Sequence, residues 1–448
     1  MNHGNASDKQ QSLHLSYSGM GDEAVVGLLE DDTPVKFIPL MERVVDRENL
    51  LNAYHRVRRN KGSAGIDGMT VDDLPAFIKQ HWATIRTQLL GGNYQPKPVR
   101  QVLIPKPGGG ERKLGIPTVL DRLIQQALLQ VLQPEWDQTF SPSSYGFRPH
   151  RSAHQAVAQA QQIINEGQQW VVDMDLEKFF DRVNHDKLMH RVKQRVDDQR
   201  VLKLIHQYLK AGVMINGYHA ASTEGTPQGG PLSPLLANLL LDDLDKELES
   251  RGLRFVRYAD DCNIYVKSKR AGERVLAGIT RWLDKQLRLT VNAAKSGVDR
   301  PWNRGFLGFT FGRSGAAKRR KVSDKSIKRF KDRVRVITCR TRGRTLAYVL
   351  NELKVYLIGW RGYFSYAEIK SPLSDMDKWV RRRLRCYLWK QWGRRQYKEL
   401  RKRGVERFLA WNTAKSAHGP WRISNSPALY QALPNRYFRQ LGFPSLVE

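Results

Sequence analysis

Two adjacent acids, Asp260 and Asp261, lie between two segments that resemble β-strands, and their carboxylates could bind a divalent metal. The flanking segments, 253–258 and 262–266, are rich in β-branched and aromatic residues, which predicts a β-hairpin with the acids at its turn. Acids are uncommon in strands, whereas Mg²⁺ prefers carboxylate oxygens combined with water and substrate phosphates. For these residues alone, an ordinary Asp-rich turn is an equally good interpretation.

A further acid, Asp175, lies near the end of the predicted strand 170–176 and could complete the metal site. Strands that are distant in sequence can be neighbours in an antiparallel sheet, which would bring Asp175 close to Asp260. Two Mg²⁺ ions bound there, about 3.5–4 Å apart, would activate a 3′-hydroxyl and stabilise a leaving pyrophosphate, and Mn²⁺ could replace them. The alternative for Asp175 is the N-cap of a helix over 177–180.

The charge of the chain predicts a polyanionic partner. Its 448 residues include 75 Lys and Arg against 44 Asp and Glu, which gives a formal net charge of +31. Nucleic acid is the usual partner of so basic a protein. The mean hydropathy is −0.55, and no apolar run approaches the roughly 18 residues that span a bilayer, so we expect no membrane partner.

Cysteine usage and the amino terminus predict a protein of a reducing compartment. Three scattered cysteines, Cys262, Cys339 and Cys386, fit neither a disulfide framework nor a zinc site made of cysteine pairs. Residues 1–40 are polar, then acidic, without an apolar signal-peptide core, and we expect a disordered extension there. Both features predict a cytoplasmic location.

Hydrophobic patterning predicts a mixed fold. A hairpin over 99–116 has Pro and Gly at its turn, and helical spacing of apolar residues covers 120–132, 186–210, 231–250 and 274–287. Strands and helices alternate without a regular βαβ repeat, which favours an α+β domain around an antiparallel sheet. Residues 313–344 then carry fourteen Lys or Arg against two acids, and helical, aromatic-rich segments follow at 345–366 and 375–392.

Several motifs together resemble one known family. They are DLEKFFD at 175–181, TPQGGPLSP at 226–234, YADD at 258–261, KGSAGIDG at 61–68, FSPSSYGFRP at 140–149 and FLGF at 306–309. Their order and spacing resemble those of reverse transcriptases, and more narrowly of bacterial group II intron reverse transcriptases, also called maturases. The resemblance covers about residues 41–448.

The resemblance implies a right-hand polymerase fold. Fingers and palm with an antiparallel sheet would occupy 41–312, an all-α thumb or maturase domain 313–392, and a small DNA-binding region 393–448. Since the chain contains no cysteine pairs of the kind that accompany the family's zinc-containing nuclease, we expect the endonuclease-lacking class.

The resemblance also implies roles for individual residues around the nucleotide. Asp175, Asp260, Asp261 and the Leu176 backbone carbonyl would bind the metal ions. Phe180 would exclude a ribose 2′-hydroxyl, Lys106 and Arg112 on the hairpin would contact the triphosphate, Gln228 would contact the nascent pair, and Lys295 would protonate pyrophosphate. Core packing for Phe180, a plain loop for Gln228 and solvated surface charge for the cations remain alternatives.

Nucleic-acid contacts are implied for the thumb. Arg381, Arg382, Arg383 and Trp379 are the candidates for contacts with the nucleic-acid backbone, whereas the helical spacing of Trp389 and Trp392 favours packing between helices. Affinity that depends on phosphate contacts should fall steeply with salt.

The function implied is RNA-directed DNA polymerisation with deoxynucleoside triphosphates on an RNA template with a DNA primer. The protein would also bind its group II intron RNA, promote splicing and use target DNA for retrohoming. Two alternatives remain open, namely a domesticated reverse transcriptase in DNA repair or phage defence, and an RNA-folding splicing cofactor without a polymerase role.

Overall fold

The computed structural model describes residues 38–105, 109–215, 218–220, 224–226, 229–315 and 317–447. Two predicted site residues, Lys106 and Gln228, and most of the extension 1–40 therefore lie outside the described residues. The chain forms two compact units. The first consists of the chain up to Phe140 together with Lys178–Leu240, and the second of Ser141–Glu177 together with Leu241–Glu448. The predicted region 41–312 thus contributes residues to both units.

The helices are, in chain order, α1 (Leu40–Val44), α2 (Arg47–Asn60), α3 (Leu74–Leu90), α4 (Val119–Asp137), α5 (Ala153–Asn165), α6 (His185–Lys193), α7 (Gln199–Lys210), α8 (Ser233–Ser250), α9 (Lys269–Trp282), α10 (Asp324–Ile337), α11 (Leu346–Phe364), α12 (Ser371–Trp392), α13 (Gln396–Lys402), α14 (Arg407–Lys415), α15 (Pro420–Ile423), α16 (Pro427–Ala432) and α17 (Asn435–Gln440). None of the helices described is long and apolar enough to cross a membrane.

The strands are β1 (Val99–Pro105), β2 (Glu111–Ile116), β3 (Trp170–Asp175), β4 (Val213–Ile215), β5 (Tyr218–Ala220), β6 (Arg254–Tyr258), β7 (Asp261–Val266), β8 (Gly297–Asp299), β9 (Phe309–Phe311) and β10 (Arg320–Val322). Mixed helices and largely antiparallel sheets confirm the predicted α+β class.

The first unit contains a sheet with the order β2-β1-β4-β5. Strands β1 and β2 pair antiparallel, which confirms the predicted hairpin. The single helix predicted over 186–210 is wrong, because α6 ends at Lys193 and α7 begins at Gln199. Asp198 lies at the break and caps α7, because its carboxylate accepts the Arg200 amide.

The second unit is built around a sheet with the order β6-β7-β3-β8, in which every neighbouring pair is antiparallel. One face of β3 buries Val172 and Met174 completely. Helix α9 packs closely on this sheet, because a Cβ atom at Gly272 would lie 2.5 Å from the Val298 side chain. The opposite face of β3 carries the acids described below.

Helices α10, α11 and α12 share an apolar core within the second unit. Phe330, Leu353 and Leu384, one from each helix, are completely buried. The buried Arg385 guanidinium links α12 to the carboxyl-terminal segment, donating to the Leu433 carbonyl at 3.0 Å and to Asn435 at 3.2 Å. Trp389 and Trp392 are both buried, which confirms that they pack between elements.

Candidate active site

Acidic side chains collect on one face of the second unit's sheet. In the antiparallel register of β3 and β7, Asp175 lies opposite Asp261 and Asp173 lies opposite Asn263. Alternate residues of a strand project to the same face, and directly opposed residues on neighbouring strands share that face. The structure therefore brings Asp173, Asp175 and Asp261 together.

The turn between β6 and β7 presents Asp260. Tyr258 pairs with Asp261, so the turn consists of Ala259 and Asp260, and Asp261 is already the first residue of β7. Ala259 has a left-handed backbone with φ of 57°. Because the turn lies beside the end of β3, Asp260 extends the acidic face at the level of Asp175.

Crowding of these acids changes their protonation. Burial first, and then the neighbouring charges of Asp173, Asp260 and Asp175, together raise the pKa of Asp261 to about 8. Burial also raises the pKa of Asp173, although the nearby Arg304 guanidinium, 3.4 Å away, acts in the opposite direction. An added cation would relieve this repulsion, so the face is electrostatically suited to a divalent metal.

Lys295 already places one positive charge on the acidic face. Its Nζ lies 2.8 Å from Asp175 Oδ2 while the side chain remains 68% exposed. The same segment holds the end of β3, because the Asn292 amide donates to the Asp175 carbonyl and the Asp175 amide donates to Ser296 Oγ. The predicted site lysine thus contacts a predicted metal ligand directly.

The oxygen donors fit a magnesium site completed by a substrate. The Leu176–Val291 bridge uses hydrogen bonds from the Glu177 amide to Thr290 and from the Asn292 amide to Asp175. The Leu176 carbonyl therefore points to the other side of the strand, the side on which β7 pairs with β3. No three acid, His or Cys side chains in the described part of the chain form a metal cluster by themselves. Mg²⁺ commonly uses one or two carboxylates together with phosphates and water.

Phe180 belongs to the first unit, in a short 3-10 turn over Phe179–Asp181. Phe179 is buried and Phe180 is half-buried, with the two ring centroids 5.1 Å apart. The Thr226 amide donates to the Phe180 carbonyl at 2.7 Å. The TPQGGPLSP segment therefore begins directly beside Phe180.

The same segment also approaches the hairpin. Gly229 has a φ of +136°, and a Cβ atom there would lie 2.6 Å from the Gly115 carbonyl on β2. Arg112 is exposed on β2, opposite Ile104 of β1. The first unit thus gathers Phe180, Gly229 and the β2 strand that carries Arg112.

The three consecutive arginines of α12 have different surroundings. Arg381 pairs with Asp377 at 3.0 Å, and both side chains are largely buried. Arg383 donates to Thr338 Oγ1 at 3.0 Å, and its guanidinium lies 5.9 Å from the half-buried Trp379 ring. Arg382 lies 4.1 Å from the Trp421 ring centroid and lines an open cavity.

The cavity beside Arg382 is polar and contains no acid. Its volume is about 470 Å³, and its lining residues are Arg382, Asn412, Thr413, Ser416, His418, Arg422, Ile423, Asn425 and Ser426. Two arginines and several hydrogen-bonding side chains match the needs of a phosphate-bearing ligand. Of the three arginines, Arg382 is the one that lines this cavity.

Sequence reasoning missed Asp173 and the buried pair Arg257 and Asp245. The spacing of Asp173 two residues before Asp175 in a strand was a usable signal, because it places both on one face. Asp245 lies on an amphipathic helix and Arg257 in a short strand, where charged residues are normally read as exposed. Nothing in the local pattern identified either as completely buried.

Two family descriptions match the chain. "Reverse transcriptase (RNA-dependent DNA polymerase)" matches residues 104–311, and "Group II intron, maturase-specific domain" matches residues 327–404.

Several proteins of known name are similar to parts of this chain. "Protein YkfC" of Escherichia coli K12 is 33% identical over 316 residues, covering 62% of this chain and 83% of that protein. "Group II intron-encoded protein LtrA" of Lactococcus lactis is 37% identical over 206 residues, covering 46% of this chain and 34% of LtrA. A chain of a solved "Cas6-RT-Cas1--Cas2 complex" is 25% identical with a TM-score of 0.37, covering 57% of this chain and 29% of that one.

Proposed function

The chain belongs to the family of group II intron reverse transcriptases and maturases, and on this premise we propose that it copies RNA into DNA at the acidic face of β3 and β7. The observation that carries the proposal is the opposition of Asp175 and Asp261 beside the turn that presents Asp260. Burial and, after it, the carboxylates gathered around Asp261 raise the pKa of this acid to about 8. Such repulsion is tolerated at sites that bind cations.

Asp175 and Asp260 would hold two Mg²⁺ ions, with the Leu176 carbonyl as a further donor and Asp261 as a less direct contributor. When bound, Mg²⁺ supplies activation of the primer 3′-hydroxyl and stabilisation of the pyrophosphate. Lys295 is within reach of the same carboxylate. We assign Lys295 to proton donation toward the leaving pyrophosphate, for which a positioned ammonium is suitable.

Selection of the deoxynucleotide is assigned to the first unit. The half-buried ring of Phe180 would exclude a 2′-hydroxyl, and Arg112 on the hairpin would contact the triphosphate. As the resemblance implies, Lys106 would contact the triphosphate and Gln228 would contact the nascent base pair.

The helical region would bind the template–primer duplex and the intron RNA. The thumb is assigned to 313–392 and the DNA-binding region to 393–448. The cavity beside Arg382 is lined by residues from both regions, and its arginines suit backbone phosphates. Intron RNA, target DNA and the template–primer are the proposed partners, with splicing assistance independent of the acids. The proposed activity of these 448 residues includes no zinc-dependent nuclease step, since their three cysteines are scattered.

Primer extension tests the polymerase proposal. Wild-type protein, Asp260→Asn and Asp284→Asn would be compared on an RNA template with a DNA primer, Mg²⁺ and the four deoxynucleotides. Asp284 is an exposed acid of the second unit and serves as the matched control. We expect extension by the wild type and the control, and loss of extension in Asp260→Asn. Folded, RNA-binding wild-type protein that extends nothing would instead favour an RNA-folding cofactor.

A further inference from the structure

The turn that carries Asp260 is supported by a buried cation. Arg257, the residue before Tyr258, is completely buried, and so is its partner Asp245 on α8. The Arg257 Nε donates to Asp245 Oδ1 at 2.7 Å and Nη2 donates to Oδ2 at 2.5 Å. The remaining nitrogen, Nη1, donates to the Ala259 carbonyl at 3.0 Å. One guanidinium thus joins helix α8 to the peptide that directly precedes Asp260.

A loop from elsewhere in the same unit closes on the other side of this turn. The Arg257 amide donates to the Ser143 carbonyl, and the Tyr145 amide donates to the Arg257 carbonyl, each at 2.9 Å. The next residue, Gly146, approaches the turn so closely that a Cβ atom there would lie 2.3 Å from the Ala259 nitrogen. Any larger residue at Gly146 must therefore displace the backbone of the turn.

The shape of this loop is itself fixed by a second arginine. Arg148 is nearly buried and donates from Nη1 to the carbonyls of Ser141 and Ser144, at 2.6 and 3.0 Å. The FSPSSYGFRP motif is thus a structural support for the turn, with its glycine at the contact and its arginine holding the loop.

The stability of the fold alone does not explain why the buried pair is Arg257 and Asp245 rather than two apolar residues. Removing two charges from water costs about as much as their attraction returns, so well-packed apolar residues of similar volume are often equally stabilising. A leucine pair, however, could not donate to the Ala259 carbonyl. Ala259 has the left-handed backbone that non-glycine residues rarely adopt, and this hydrogen bond helps to hold it there.

We propose that Arg257, Asp245 and Gly146 are positioning residues that fix the Ala259–Asp260 turn so that the Asp260 carboxylate stays beside Asp175. This inference rests on the proposed polymerase site, where Asp260 acts. The three residues contact neither substrate nor metal and act through the backbone of Ala259. Their loss should lower the turnover of the site while leaving the binding of template–primer unchanged.

The leucine pair Arg257→Leu/Asp245→Leu separates positioning from stability. The matched control, Arg254→Leu/Glu166→Leu, removes a largely exposed ion pair of 2.7 Å that also involves β6. We expect both to melt within a few degrees of the wild type. Only the buried pair's variant should lose about 10- to 100-fold in kcat, because small displacements of reacting groups cost this much. Its Kd for template–primer should change less than about twofold.

Two further variants distinguish a loss of kcat caused by displacement of the turn from one caused by misfolding. Arg257→Lys keeps a cation for Asp245 but lacks the planar fork that also reaches Ala259, so it should show the kcat loss with little loss of stability. Gly146→Ala leaves every charge in place and should lower kcat by displacing the turn backbone.

Hydrogen exchange of the amides at 258–262 and Mn²⁺ binding measured by electron paramagnetic resonance provide readouts that need no polymerase activity. In the leucine pair we expect roughly tenfold faster exchange in this turn and weaker Mn²⁺ binding than in the control. Unchanged exchange and unchanged Mn²⁺ affinity would overturn the positioning role even if kcat fell. A wild type that extends no primer would refute the proposed function, while these two readouts would still decide the role of Arg257.

Discussion

At the scale of single residues, the protonation of Asp261 is the most informative property of the site. An aspartate in the unfolded chain ionises near its usual pKa of about 4. Burial and the neighbouring acids raise the pKa of Asp261 to about 8 in the fold. The folded state therefore keeps a proton that the unfolded state loses, and the metal-free protein loses stability as the pH rises from about 4 to about 8.

Asp261→Asn should remove this loss. In EDTA, the free energy of unfolding of the variant minus that of the wild type should increase by about 1–3 kcal/mol from pH 5 to pH 8. Denaturant titrations at the two pH values measure the difference, with the exposed Asp284→Asn as the control. An equal difference at both pH values would mean that Asp261 does not carry the raised pKa.

Phe180→Ala tests the exclusion of ribonucleotides. Removal of the ring should increase the ratio of kcat/KM for ribonucleotide over deoxynucleotide by about tenfold or more, as expected for loss of a steric contact. Single-nucleotide incorporation measures this ratio, and Phe179→Leu, a change to the buried neighbouring ring, is the control. An unchanged ratio would leave Phe180 as a packing residue.

At the residue scale, the sequence predicted side-chain positions correctly where they follow from the regular geometry of a strand. The position of Asp175 at the end of a strand predicted that it lies close to the hairpin acids, because residues at the ends of paired strands share a face at regular intervals. The ion pair of Lys295 with Asp175 was beyond prediction, since it depends on how the 290–296 segment folds back on β3. The burial of Arg257 was also beyond prediction, since it depends on how α8 and the 141–148 loop pack around this residue.

At the scale of elements, the β1–β2 hairpin was predictable because its turn chemistry is local. The break between α6 and α7 was not foreseen, although Asp198 is a normal N-cap, because the apolar spacing continues across it. The close approach of Gly146 to β6 joins segments that are distant in sequence, and no local pattern encodes such a contact.

Arg112 and its neighbour on β2 provide a matched pair for testing the hairpin. Adjacent strand residues face opposite sides, so Arg112 and Lys113 cannot both face the nucleotide. We expect Arg112→Ala to raise the KM for deoxynucleotides by about tenfold, the value of one charge-assisted hydrogen bond. Lys113→Ala should change the KM less than about twofold. Steady-state primer extension measures both, and equal effects would assign the hairpin a purely electrostatic role.

At the scale of the whole molecule, the charge of +31 is distributed in a way that composition alone could not reveal. Arg381 is engaged by Asp377 and Arg385 by backbone carbonyl and amide oxygens, so part of the positive charge stabilises the fold. Arg382 donates to the Trp421 carbonyl at 3.1 Å and also lines the polar cavity. The consecutive arginines of α12 look equivalent in the sequence, and tertiary packing decides their different roles.

Arg382→Ala should weaken the binding of nucleic acid and reduce its salt dependence. Loss of one phosphate contact lowers the slope of log K against log salt by about 0.7–0.9. Filter binding from low to moderate salt measures the slope, with the exposed Arg436→Ala, which does not line the cavity, as the control. Identical slopes for both variants would exclude the cavity as a phosphate site.

The most direct test of the polymerase site is the rate of a single deoxynucleotide addition under single-turnover conditions. Wild type, Asp175→Asn, Asp260→Asn and Asp284→Asn would be compared on one RNA template with a DNA primer across a Mg²⁺ titration. We predict a Mg²⁺-dependent rate for the wild type and Asp284→Asn, and a rate lower by at least about 1,000-fold for each of the other two variants. A Mg²⁺-dependent rate that survives in Asp260→Asn or Asp175→Asn would contradict the assignment of the site to these acids.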